Sequence, residues 1–181
     1  MTMRIIRSSF LGALIAAQLL VSATGAQAQG GDKVRWEDIA GVTTPIIGVN
    51  APPGGNVSAV VNDVQGIPPG GRPWFTTRGQ AEFSPSTGDL RFRVRGLVLL
   101  GGNAAGTPGA ITTVKGTIVC NGPIIIDSTP VPLSPEGDAE FNGQVAPTPG
   151  CANPIFLIRI GPGTAGSTQN PWIAAGVVRR D

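Results

Sequence analysis

Between Gly79 and Arg95 the chain alternates apolar and polar residues with period two. Leu90, Phe92 and Val94 interleave with Arg91, Arg93 and Arg95, and upstream Gly79, Ala81 and Phe83 interleave with Gln80 and Glu82. Alternate residues of a strand share a face, so the pattern predicts two strands, each with one apolar and one wet side. The connecting "SPSTGD" is rich in turn formers. A four-residue loop from Pro85 to Gly88 would pair Ser84 with Asp89, Phe83 with Leu90 and Glu82 with Arg91, so inward positions meet inward positions. From Gly96 the alternation stops. The following "LVLL" reads as strand buried on both faces or crossing between sheets.

Similar segments recur downstream. "GQAEFS" at Gly79 returns as "GDAEFN" at Gly137, with Gly, Ala, Glu and Phe at identical spacing. The first copy is followed by "LRFRVRG" and the second, after a longer loop, by "IFLIRIG" from Ile155. This predicts two related strand pairs, either corresponding parts of two sheets or products of a duplication. "TIVCNGPIII" predicts a hairpin on a type I′ turn at Asn121-Gly122, with Pro123 opening its second strand. A last strand is expected over "PWIAAGVV", Pro171 to Val178.

Composition supports the same class. Gly and Pro gather in "APPGGN", "GIPPGGRP", "GGNAAGTPG", "APTPG" and "GPGTAG", and short runs of Val, Ile, Thr and Phe lie between them. Beyond Gln29 no segment holds a helical i, i+3, i+4, i+7 pattern over ten residues. Short strands separated by turn signals predict an all-β fold. The expected architecture is an antiparallel β-sandwich, Ig-like or jelly-roll-like, with a small β-barrel as the alternative.

The first residues follow other rules. Arg4 and Arg7 precede an apolar run from Phe10 to Val21, and Ala26-Gln27-Ala28 has the small-x-small form of a signal-peptidase site. The run of about a dozen residues is shorter than the roughly 20 needed to span a bilayer. The expectation is a Sec-type signal peptide over residues 1–28, helical while attached and cleaved after Ala28. Residues 29–56 would form an extension or first strand, and 57–181 a single β domain. No later apolar run has spanning length, so no membrane span is expected in the mature form.

Removing the leader changes the charge balance. The chain has 13 basic and 11 acidic residues, and two of the basic ones lie in the leader, leaving 11 of each. A nucleic-acid binder concentrates a basic excess; none is present overall, so no nucleic-acid partner is expected. The predicted site of action is periplasmic or extracellular. There Cys120 and Cys151, the only cysteines, are expected to form a disulfide.

The missing residue types exclude much chemistry. Without His there is no Ser-His-Asp triad, no Cys-His pair and no His-bearing metal site. No nucleotide fingerprint or calcium loop occurs, so no cofactor is expected. A carboxylate pair remains a possible catalyst, with Glu82, Asp89, Asp127, Glu136, Asp138 and Glu140 as candidates, most of them in turns or at outward strand positions. Trp36, Trp74 and Trp172 fit buried core positions, with stacking on sugars as the rival reading. The row Arg91, Arg93, Arg95 has two readings as well. It is the wet face of a strand, its stems covering apolar neighbours, or a cationic row for an anionic envelope or extracellular polymer, since alternate side chains recur every roughly 6.7 Å.

The blocks "GIPPGGRPW", "GDLRFRVRGLVL", "GTIVC", "TPVPLSPEGDAEF", "CANPIFLIRI" and "WIAAG", in that order, resemble a family of small secreted bacterial proteins of unknown function. The resemblance runs from about Gly66 to Gly176 and implies export and a β-rich fold, with no activity or site residues. Residues Gly79 to Leu97 are also similar to the opening of a chordin-type repeat, but the histidine motif expected downstream is missing. "AEFNGQVAPTPGC" is similar to the first strand of a chaperone–usher pilin, yet here too little chain follows it. The functional expectation is a non-catalytic exported module with a binding or structural role; the alternative is a small carboxylate-dependent hydrolase or lyase acting on an envelope polymer.

Overall fold

Period-two alternation becomes strand structure throughout the computed structural model, which describes residues 33–43, 46–47, 60–61, 63–120, 125–162 and 170–177. The leader with Ala28, and the Asn121-Gly122 turn, lie outside the described residues. In chain order the strands are β1 (Val34–Trp36), β2 (Asp38–Gly41), β3 (Ile46–Ile47), β4 (Val60–Val61), β5 (Trp74–Phe75), β6 (Arg78–Ser84) and β7 (Asp89–Arg95). They continue as β8 (Val98–Leu99), β9 (Thr113–Val119), β10 (Ile125–Asp127), β11 (Val131–Pro132), β12 (Ala139–Gln144), β13 (Ile155–Ile160) and β14 (Trp172–Val177).

Two antiparallel sheets form an all-β sandwich. The first has the order β1-β6-β7-β12 and the second β10-β9-β13-β14-β2, with β11 also paired to β9. The pairs β3-β4 and β5-β8 stand as separate ribbons. After the bend at Glu37 the chain leaves the edge of the first sheet as β1 and enters the edge of the second as β2, joining the layers at one corner.

Between the layers the alternating apolar positions meet. Phe156 of β13 lies 5.6 Å, ring to ring, from both Trp36 and Phe92. Phe92 in turn stacks on Phe141 at 5.8 Å. Gly116 of β9 leaves the space these rings use, because a Cβ there would stand 2.7 Å from Phe92 and 3.1 Å from Phe156. Phe83, Leu90, Val94, Ile118 and Ile158 complete the dry interior. Trp36, Trp74 and Trp172 are all buried, so the sugar-stacking reading is set aside.

The β6–β7 hairpin has the predicted register: Ser84 pairs with Asp89, Phe83 with Leu90 and Glu82 with Arg91. Gly88 closes its four-residue loop at φ 77°, a left-handed conformation that glycine adopts without a Cβ penalty, and its N–H donates to the Ser84 carbonyl at 2.8 Å.

One expectation is corrected. "GDAEFN" does not pair with "IFLIRIG": β12 lies on the far side of β7 from β6, so both copies flank one strand, while β13 joins the other sheet. The long connection lets β13 cross layers, and Phe156 then closes over Phe92. The β9–β10 pairing matches Val119 with Ile125, and the turn that joins the two strands lies outside the described residues. That register sets Asp127 opposite Thr117; a one-residue slip would send its carboxylate to the Gly116 side, among the phenylalanine rings. In "LVLL" it is the crossing alternative that the structure matches, since Leu97 and Leu99 are buried but Leu100 is 51% exposed. Gly96 turns the chain out of the first sheet, and Val98–Leu99 pairs with β5 instead.

Candidate anion-binding face

The outer surface of the first sheet carries the arginine row. Arg91, Arg93 and Arg95 are all exposed, as the alternation requires once Leu90, Phe92 and Val94 point inward. Neighbouring strands complete cross-strand rungs. Arg35, Glu82, Arg91 and Asn142 form one; Gln80, Arg93 and Glu140 form the next; Arg78 faces Arg95 in the third. The first two rungs line a shallow open concavity of about 660 Å³, with Glu37 at its edge.

Within it the arginines are not equivalent. Arg93 grips Glu140 with two parallel bonds, Nε to Oε2 at 3.0 Å and Nη2 to Oε1 at 2.9 Å. This contact holds the Glu140 carboxyl below its ordinary pKa and raises that of Arg93. Arg95 donates from Nη1 to Asp138 Oδ2 at 2.8 Å, while Asp138 Oδ1 accepts the Gly96 N–H at 3.1 Å. Glu82 lies opposite Arg91, yet its oxygens accept from Lys33 Nζ at 2.8 Å and Arg35 Nε at 2.9 Å. The Lys33 hydrogen bond is the largest influence lowering the Glu82 pKa. Asp89 accepts from Thr87 Oγ1 at 2.7 Å and Gln144 Nε2 at 3.3 Å, and its pKa is lowered chiefly by Thr87. Arg91 therefore stands in the central strand with no ion pair among the described residues. Of the remaining carboxylate candidates, Glu136 is exposed in the turn before β12.

Asp127 departs from the solvated placement expected of it. Its side chain is 1% exposed and accepts from Lys115 Nζ at 2.9 Å, Thr117 Oγ1 at 2.6 Å and Arg159 Nη1 at 3.3 Å. Lys115 and Arg159 are register partners on β9 and β13, and both are buried. Arg159 Nε also donates to the Asn170 carbonyl at 2.8 Å. Burial lowers the Arg159 pKa, and Asp127 opposes the shift. This cluster was readable only as one cation in each of "TVKGTIV" and "IFLIRI" and one acid after "III". Alternation alone assigns such residues to a wet face; here that face is covered.

Cys120 follows β9 and Cys151 precedes β13, and they form a disulfide with Cα atoms 5.3 Å apart. A stable bridge of this kind belongs to an oxidising compartment. Among the described residues no helix is long and apolar enough to cross a membrane. No family model matches the chain, and neither a curated protein nor a solved structure does.

Proposed function

We propose that this protein is an exported, non-catalytic β-sandwich module that binds an anionic envelope or extracellular polymer across the outer face of its first sheet. The observation that carries the reading is Arg91: a guanidinium on the inner strand β7, in an open concavity, without an ion-pair partner among the described residues. Arg35, Arg93 and Arg95 surround it, each already engaged by a carboxylate that a stronger polyanion can displace. An open, polar trough suits a repeating chain better than a small molecule, which needs deep enclosure to bury most of its surface.

The carboxylates here favour binding over acid–base catalysis. Glu82 and Glu140 are both held ionised by cations, whereas a general acid needs a raised pKa. The test is binding of the secreted form to polygalacturonate by calorimetry. Affinity should fall steeply with salt, as screening requires. Arg91→Ser should weaken it while leaving the melting curve unchanged, because exposed substitutions cost little. Binding that ignores both salt and Arg91→Ser, or turnover of the polymer, would overturn the reading.

A further inference from the structure

A second recess lies away from this face, between the β5–β8 ribbon and the end of β13. We propose that it is a binding site for a small apolar carboxylate. The recess has a volume of about 330 Å³, within the range of small-ligand pockets. Trp74, Leu99, Ile111, Ile160 and Pro171 give it an apolar lining.

Two hydrogen-bond donors break that lining, and both can serve an acceptor bound in the recess. The Trp74 side chain is buried, and its Nε1 has no hydrogen-bond partner among the described residues. Unlike the indole N–H groups of Trp36 and Trp172, which are sealed off without a partner, that of Trp74 is not sealed off, and Trp74 lines the recess, so an acceptor bound there can reach it. Nε1 stands against Gly70, which also lines the recess: a Cβ on Gly70 would lie 3.4 Å from it. With no side chain at Gly70 or at neighbouring Gly71, the approach to the indole N–H stays open. The second group is Arg72, exposed, lining the same recess and without an ion pair among the described residues.

An N–H donor and a guanidinium in an otherwise apolar recess select for charge and polarity together. A carboxylate accepts from both, and an apolar body displaces water from the walls. A multiply charged hydrophilic anion gains the same two contacts but loses its hydration against Leu99, Ile111 and Ile160. An amine of the same size meets Arg72 as a like charge.

The probes are benzoate, benzyl alcohol and benzylamine, which share a ring and differ in charge. Benzoate added to the full secreted protein should shift the Trp74 indole N–H resonance, assigned with Trp74→Phe, and leave those of Trp36 and Trp172 in place. Benzyl alcohol should bind about tenfold more weakly, as expected when a charge-assisted hydrogen bond is lost. Benzylamine should not bind. Ala110→Trp, at an exposed position lining the recess, should abolish the benzoate shift without altering the fold. Arg91→Ser, on the other face, should leave it unchanged. No Trp74 shift at millimolar benzoate, an undiminished shift in Ala110→Trp, or equal binding of benzylamine would overturn the proposal.

Discussion

Asp127 lies opposite Thr117 across the β9–β10 pairing and accepts its hydroxyl at 2.6 Å, while Lys115 and Arg159 approach the same carboxylate. All of these side chains sit on the side of the second sheet that faces away from Phe92 and Phe156. Removing the carboxylate leaves Lys115, whose side chain is 2% exposed, without its ion-pair partner. Breaking a buried pair from one side costs about 3–5 kcal/mol. Asp127→Ala should therefore lower stability by that order in urea unfolding. Lys115→Met should cost less, because Asp127 keeps Thr117 and Arg159. Equal losses would show that the three groups do not act through the carboxylate.

The disulfide should be a large separate contribution. It joins residues 31 apart, and the chain-entropy relation gives about 3–4 kcal/mol for a loop of that size. The double variant Cys120→Ala, Cys151→Ala should lower the urea midpoint accordingly. Thiol titration of unreduced, denatured secreted protein should find none free at these positions.

The β6–β7 hairpin was legible in the sequence because one strong pattern settles it: Phe83, Leu90, Phe92 and Val94 must face inward together. Register, loop length and the exposure of the arginines all follow from that constraint. What β7 pairs with next was not legible, since "GDAEFN" and "IFLIRIG" carry the same alternation and nothing local says which sheet either joins. Asp127 was misread for a related reason. Alternation reports which residues share a face, but whether that face is wet depends on chain packed against it from elsewhere. The inequality among the arginines is a third case. Glu82 pairs by register with Arg91 but by hydrogen bond with Lys33, just before β1, and Arg35 within it, nearly fifty residues earlier.

Acid should weaken the first sheet in a definite direction. Glu82 and Glu140 have folded-state pKa values below their ordinary ones. Each thus contributes stability that is fully present above the unfolded pKa and is lost as pH falls through the lower folded value. The effect is small, as both pairs are solvent-screened. The melting temperature should fall as pH drops below about 4, the ordinary carboxylate range. Glu82→Gln with Glu140→Gln should flatten that part of the decline, and an unchanged slope in the double variant would show that these pairs contribute nothing.

Glu140 also controls how much of the arginine row a polyanion can reach. Its two bonds to Arg93 hold that guanidinium beside Arg91, which has no ion pair among the described residues, so an incoming carboxylate must compete for Arg93 but not for Arg91. Glu140→Gln removes the competing charge and gives two adjacent free cations, on alternate residues roughly 6.7 Å apart along the strand. Polygalacturonate should bind this variant several-fold more tightly than the parent, with a steeper loss of affinity on adding salt. Stability should change little, since the pair is exposed and screened by solvent. Adding Arg91→Ser to Glu140→Gln should remove much of the gain, because Arg93 would then act alone. If Glu140→Gln instead leaves affinity unchanged while Arg91→Ser lowers it, the polymer contacts Arg91 without reaching its neighbour, and binding runs across the strands rather than along β7.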